Sequence, residues 1–355
     1  MRNITLIITL SDAEHLIDEI EGDYIYIGPR FQNDKHHIRS AATFRLSKLV
    51  QNSILKEVNI KYIMYYCDIF SLALFQPVLD IMQCKTIAII GDTHHGKEPL
   101  SKLITWLYEM KICRVALKQT VHHKPIFRSF GFDVLQLPYY AHNTKSYEVN
   151  DNYIERIIFY GSISNRHVKR MDLLKFLKQS GLTIDICAGS REMSFKAYNT
   201  YCASINMPLN NDVNYRIYEI MSAGGVCVTE SFISSTEDSQ LAKNKINILQ
   251  FESPIECYNL CVDLLKNRNL RNNLARRANY DISQAKSQGL LYILIKAFID
   301  ENEYNAQIRM NNQKEKSMFE NLKLYEDIQI QKSKGYWVHE DRAMKQIPSE
   351  WRTML

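Results

Sequence analysis

From residue 4 to residue 299, short apolar runs of strand length alternate with segments of helical period, and few folds accommodate that pattern. Residues 4–9, 24–27, 61–66, 85–90, 114–117 and 134–137 read as strands. Between them, 11–20, 40–58, 70–82, 99–111 and 122–130 read as helices. A second series places strands at 157–160, 183–188, 205–209, 226–228 and 246–251. Its helices fall at 169–179, 194–201, 217–221, 253–266, 270–278 and 288–299. Mostly apolar strands separated by helices predict parallel sheets covered on both faces, with ligands at the carboxyl ends of the strands.

The alternation breaks at 138–153, PYYAHNTKSYEVNDNY, which is polar, aromatic and without period. A chain of 355 residues is long for one core, so two α/β domains are expected. We assign 1–140 to the first, 141–154 to a linker, 155–302 to the second, and 303–355 to a helical extension. The extension mixes charges of both signs with apolar residues such as Met318, Phe319 and Leu322. It is expected to pack on its own protein; the other option is contact with a partner protein or a membrane surface. The net charge of +5 permits a phosphate-bearing ligand and gives no reason to expect nucleic acid. The eight cysteines include no C-x-x-C pair, which favours buried thiols in a reducing compartment over zinc or disulfides. The N-terminal apolar run is too short for a signal peptide, and no stretch reaches membrane-span length, so a cytoplasmic protein is expected.

The most informative stretch is 205–229, INMPLNNDVNYRIYEIMSAGGVCVT, a strand, a polar loop, a helix, a glycine pair and a strand. Asn214, Arg216 and Glu219 gather at the helix start, where backbone N–H groups favour an anion. The competing reading is an i,i+3 ion pair between Arg216 and Glu219 in an ordinary βαβ unit. Gly161-Ser162, with Arg166 and Lys169 beyond, follows the first strand of this half and suits a phosphate. Ala188-Gly189-Ser190 ends the next strand. In the first half, Gly91-Asp92-Thr93-His94-His95 follows the strand 85–90, and its side chains can hold a proton, orient a hydroxyl or bind a metal.

The segment Asn214-Tyr-Arg216-Ile-Tyr218-Glu219-Ile-Met-Ser222-Ala-Gly224-Gly225 resembles the donor-binding segment of GT-B glycosyltransferases, N-x-R-x-(F/Y)-E-x-x-(A/S)-x-G-(G/A). The GDTHH segment is similar to one in some bacterial transferases of that type. The resemblance implies two Rossmann-like domains facing across a cleft. It implies a nucleotide sugar as donor substrate, no separate cofactor or metal, and a glycan or lipid-linked acceptor of surface polysaccharide or glycoconjugate synthesis. Glu219 would bind the nucleotide ribose. Arg216, Arg166 and Lys169 would offset charge on the departing phosphate, with Asn214, Gly161, Ser162, Gly189, Gly224 and Gly225 completing the donor site. Asp92, His94 or His95 would face the acceptor hydroxyl.

One departure stands against that pattern: 10–12, after the first strand, has no glycine-rich loop, so the acceptor side would be built differently. Two alternatives remain at this stage. D-x-H-x-G at Asp92 and His94 also resembles the first motif of calcineurin-like metallophosphoesterases, although G-D-x-x-D and G-N-H-(E/D) do not follow. A non-catalytic GT-B-like scaffold, docking through 303–355, is the other. The absence of G-x-G-x-x-G disfavours a dinucleotide enzyme, and the absence of D-x-D at a strand end disfavours a metal-dependent GT-A enzyme.

Overall fold

The computed structural model describes residues 2–9, 24–28, 37–39, 55, 58–67, 72, 85–91, 93, 98–117, 123–137, 146–163, 168–208, 213–232, 241–285, 295, 297–298, 312–333 and 348. The chain divides into two compact units. The first comprises Met1–Leu137, Gln288–Ile328 and His339–Leu355, and the second Pro138–Ser287 and Gln329–Val338.

In the first unit the described strands are β1 (Arg2–Thr9), β2 (Tyr24–Gly28), β3 (His37–Arg39), β4 (Val58–Cys67), β5 (Lys85–Ile90), β6 (Arg114–Leu117) and β7 (Asp133–Gln136). They pair in parallel in the order β3-β2-β1-β4-β5-β6-β7. This is the doubly wound arrangement, with the order reversing at β1. Helices α1 (Pro99–Glu109) and α2 (Lys124–Ser129) belong to this unit. β3 was not expected from the sequence: three residues are too short to show a period, and His37 is held there by stacking on Tyr26 at 5.5 Å.

The second unit carries β8 (Ile154–Tyr160), α3 (Val168–Gln179), β9 (Ile184–Cys187), α4 (Arg191–Thr200) and β10 (Tyr201–Asn206). Then follow α5 (Tyr215–Ser222), β11 (Cys227–Glu230), β12 (Leu249–Phe251), α6 (Pro254–Lys266) and α7 (Arg268–Ala285). All described pairings are parallel, in the order β12-β11-β10-β8-β9. One face packs Ile157, Phe159 and Val228 against Leu173, Leu177 and Cys261, from α3 and α6. The other packs Ile158 and Cys227 against Tyr198, Ile217 and Ile220, from α4 and α5. An α/β fold of two Rossmann-like sheets is therefore present.

Several boundaries move: β4 begins at Val58, inside the segment read as a helix, α7 runs from Arg268 to Ala285, past both ends of the expected 270–278, and two more adjoin α4. α4 starts at Arg191, ahead of the expected 194, because Ser190 caps it by accepting from the Met193 N–H at 3.3 Å. Polar Arg191 and Glu192 had hidden its first turn from a search for apolar period. β10 accordingly spans Tyr201–Asn206 and ends before Met207. The segment 146–150, expected to link domains, lies on the second unit, where the Tyr147 N–H donates to the Ser222 carbonyl at 2.9 Å.

The C-terminal helix α8 (Asn312–Ser333) is grouped with the first unit as far as Ile328 and buries Leu322, Tyr325 and Ile328. Its Phe319 packs edge-to-face on Phe130 at 5.0 Å. The expected contact of this region with its own protein is made here by α8; Trp337 and Trp351 lie outside the described residues. The seven described cysteines are free thiols, six of them buried. No helix among the described residues is long and apolar enough to cross a membrane.

Candidate functional site in the second unit

The strand order of the second unit reverses between β8 and β10: α3 leaves β8 across one face, and α4 and α5 cover the other. In a parallel sheet this reversal opens a crevice at the carboxyl ends of the two strands. Gly161 follows β8 there, Asn206 closes β10 with Met207 just beyond it, and α5 starts nearby at Tyr215.

Arg170, on the first turn of α3, spans the crevice. Its Nη1 donates to the Ser162 carbonyl and its Nη2 to the Met207 carbonyl, both at 2.9 Å. Burial, with the Arg216 charge second, brings its guanidinium down to about 10. Arg216 reaches the same place from α5. Its guanidinium lies 5.7 Å from the Phe159 ring centre, and that of Arg170 lies 5.3 Å from the same ring. A Cβ added to Gly161 would stand 2.8 Å from Arg216 Nη2, so the glycine makes room for the guanidinium. Arg216 Nη1 is buried without a hydrogen-bond partner, while the guanidinium also bonds the Tyr198 side chain. Two like charges on one ring, one with an idle donor, favour an anion.

The expected alternative for this helix, an Arg216–Glu219 pair, does not form. Glu219 instead accepts from Arg191 Nε at 3.2 Å. Arg191 lies over the rings of Tyr215 and Phe195 at 5.1 and 5.6 Å and donates to the Tyr215 hydroxyl. Glu219, in the second turn of α5, is thus held by the first residue of α4. Lys169, expected beside a phosphate, is ion-paired with Glu230, the last residue of β11. Asn214 caps α5 by position only: its side chain accepts no N–H from the helix. Its Nδ2 donates instead to Asn206 Oδ1 at 3.0 Å, and Asn206 Nδ2 donates to Thr229 Oγ1 at 3.0 Å.

The glycines divide by position. Gly161 adjoins Arg216. At Gly189 a Cβ would stand 2.5 Å from the Tyr160 hydroxyl, so its place is taken by the ring of β8. Gly224 and Gly225 stand at the far end of α5, before β11, away from the carboxyl edge. Gly224, at φ +71, ends the helix, and a Cβ on Gly225 would stand 2.5 Å from the Tyr198 carbonyl oxygen. These two serve the helix-to-strand turn and its packing rather than the crevice.

Sequence reading did not single out Arg191 or Asn206. A polar residue closing an apolar strand, as Asn206 does, was the available signal; nothing along the chain links Arg191 to Glu219, 28 positions away. Of the remaining residues expected to act, Arg166, Asp92, His94 and His95 lie outside the described residues. Their neighbour Thr93 is buried in the first unit, with Oγ1 2.7 Å from His123 Nδ1. Among the described residues no three metal-ligating side chains come together.

No protein-family model matches this chain, and no curated protein matches its sequence. Solved structures share its fold. HepE from Anabaena, determined with UDP and glucose, superposes with a TM-score of 0.53 at 9% identity, over 84% of this chain and 99% of that one. Sucrose-phosphate synthase from Thermosynechococcus elongatus gives 0.55 at 9% identity, over 85% and 99%. The fold is that of the GT-B glycosyltransferases. TarM from S. aureus, in a complex that includes UDP, matches at 0.50 and 10% identity. That match covers 67% of this chain, which spans about half (55%) of the TarM chain. In the second unit of this GT-B fold, the switch-point crevice is where Arg170, Arg216 and Gly161 meet.

Proposed function

We propose that this chain is a glycosyltransferase that binds a nucleotide sugar in the second unit and passes the sugar to a glycan or lipid-linked acceptor. Surface polysaccharide or glycoconjugate synthesis is the setting we assign to it. The observation that carries the reading is the pair of guanidiniums on Phe159 at the switch point, with Arg216 Nη1 buried and unbonded. A diphosphate is a ligand that fits such a site. HepE has been determined with UDP and with UDP-glucose, on the same fold.

In this reading Glu219, oriented by Arg191, accepts from the ribose hydroxyls. Arg216 and Arg166 stabilise negative charge as the sugar–phosphate bond breaks, which preorganised cations do best in a site closed to water. The chain's own cations supply that charge, so the transfer is proposed to be metal-independent. Asp92, His94 or His95 is the candidate to orient or deprotonate the acceptor hydroxyl. The place of action we propose is the cytoplasm or the inner face of the membrane, with 303–355 as the element for any peripheral contact.

The test is thermal stabilisation by UDP, GDP, dTDP, CMP and their sugar conjugates, with and without chelator. One nucleotide and its sugar should raise the midpoint by mass action, with or without chelator, and Glu219→Ala should remove most of that rise. Silence to every nucleotide, or a response confined to divalent metal and lost in Asp92→Ala, would overturn the reading.

A further inference from the structure

The polar residues at the carboxyl edge of β10 and β11 form a hydrogen-bonded chain whose direction is fixed by its end. Thr229 Oγ1 lies 3.2 Å from the Glu230 carbonyl, which can only accept, so the threonine proton points there. The Thr229 oxygen must then receive the Asn206 amide, and Asn206 Oδ1 the Asn214 amide. The order of donors leaves Asn214 Oδ1 at the open end of the chain. It is buried and has no partner. Asn214 is placed to cap α5 yet makes no cap, so this oxygen is not used by the helix either.

A second acceptor stands idle at the same edge. Adjacent strand residues point to opposite faces, so while Thr229 turns toward α5, Glu230 turns toward α3 and meets Lys169. That pair occupies Oε1; Oε2 is buried and unbonded, on a residue only 9% exposed. A buried acceptor without a donor is costly. These two acceptors, at the carboxyl edge of the sheet that Arg216 Nη1 also reaches as an idle donor, describe the complement of a ligand: hydroxyl groups to give protons and an anion to receive one.

Resting on the nucleotide-sugar reading above, we propose that Glu230 and Asn214 are specificity residues that accept hydrogen bonds from hydroxyls of the transferred sugar. The ion pair with Lys169 then aims Glu230, and Lys169 acts through Glu230 rather than on the phosphate. Such a site rejects an analogue that lacks the hydroxyl it is built to bind, because its acceptor is left unpaired.

The experiment is titration calorimetry of wild type, Glu230→Gln and Asn214→Ser. The probes are the nucleoside diphosphate and nucleotide sugar that stabilise wild type in the panel above, and the conjugate deoxygenated at one sugar hydroxyl at a time. Glu230→Gln keeps the shape of the side chain and removes its charge. It should weaken the intact nucleotide sugar by about tenfold and the bare diphosphate by less than about twofold. One deoxy conjugate should bind wild type about tenfold more weakly and show no further loss in Glu230→Gln. Asn214→Ser, which shortens the acceptor, should show the same bias toward the sugar conjugate. Equal losses for diphosphate and conjugate in both variants, or no loss in either, would overturn the assignment while leaving nucleotide binding intact. Failure of wild type to bind any nucleotide would remove both this inference and the reading it rests on.

Discussion

A methyl group at position 161 would stand 2.8 Å from Arg216 Nη2, and one at position 225 would stand 2.5 Å from the Tyr198 carbonyl oxygen. The two encroachments look alike in distance but differ in what must give. At 161 the neighbour is the free end of a long side chain, which can swing away. The backbone at 161, however, has φ +159, which residues with a Cβ rarely adopt, so Gly161→Ala should cost about 1–3 kcal/mol of stability as well as lowering nucleotide affinity about tenfold, as denaturant titration and calorimetry would show. At 225 the neighbour is backbone held by α4, and it cannot move without shifting the helix. Gly225→Ala should destabilise by about 1–3 kcal/mol in denaturant titration, with affinity per folded molecule unaffected. Arg191 provides a third case. Arg191→Ala frees Glu219 from its partner at 3.2 Å and should raise the dissociation constant for nucleotide, with Arg191→Lys restoring only part because a lysine lacks the planar fork.

At the scale of elements, α1 depends on a cap from far along the chain. Its own N-cap, Glu98, has a left-handed backbone at φ 53 and makes no side-chain cap bond. Glu326 of α8 supplies it. Its carboxylate accepts from the Leu100 N–H at 2.6 Å, the Ser101 N–H at 3.3 Å and the Ser101 hydroxyl at 2.6 Å. Anionic charge at a helix start is favourable, yet burial dominates and pushes the Glu326 carboxyl above its ordinary value, against the pull of those three bonds. A carboxyl raised in the fold contributes stability that is full below its unfolded pKa and fades as pH rises through the folded one. Glu326→Gln removes that titration. The stability of Glu326→Gln relative to wild type should therefore move in the variant's favour as pH rises above the ordinary carboxylate range, measured by denaturant titration at each pH. Glu326→Ala loses the cap at every pH and should cost about 1–2 kcal/mol. None of this partnership could be read from spacing, since it joins positions 225 and 226 residues apart.

At the scale of the whole molecule, each unit is its own parallel sheet, and in the second the fully buried Arg271 joins separate segments. Arg271, fully buried, donates to the carbonyls of Cys202 at 3.2 Å, Asn150 at 2.9 Å and Tyr201 at 3.4 Å, and lies 4.1 Å from the Tyr153 ring centre. It ties the incoming segment, the start of β10 and α7 into one body. Arg271→Met should cost about 3 kcal/mol or more, because the three carbonyls lose their donor in a site closed to water. A midpoint change within error would show that water replaces it.

Sequence by itself determined the alternation of strand and helix, and with it the parallel α/β class, because period depends only on neighbours along the chain. It also placed Arg216, Gly161, Asn214 and Glu219 at strand ends and helix starts, since those positions follow from the same alternation. What it could not determine was the order of strands, and so the crevice between β8 and β10. It could not choose the partner of Glu219 between a residue three positions away and Arg191, nor give Lys169 to Glu230. Those outcomes depend on which elements lie side by side, and that is set by how the two faces of the sheet are filled.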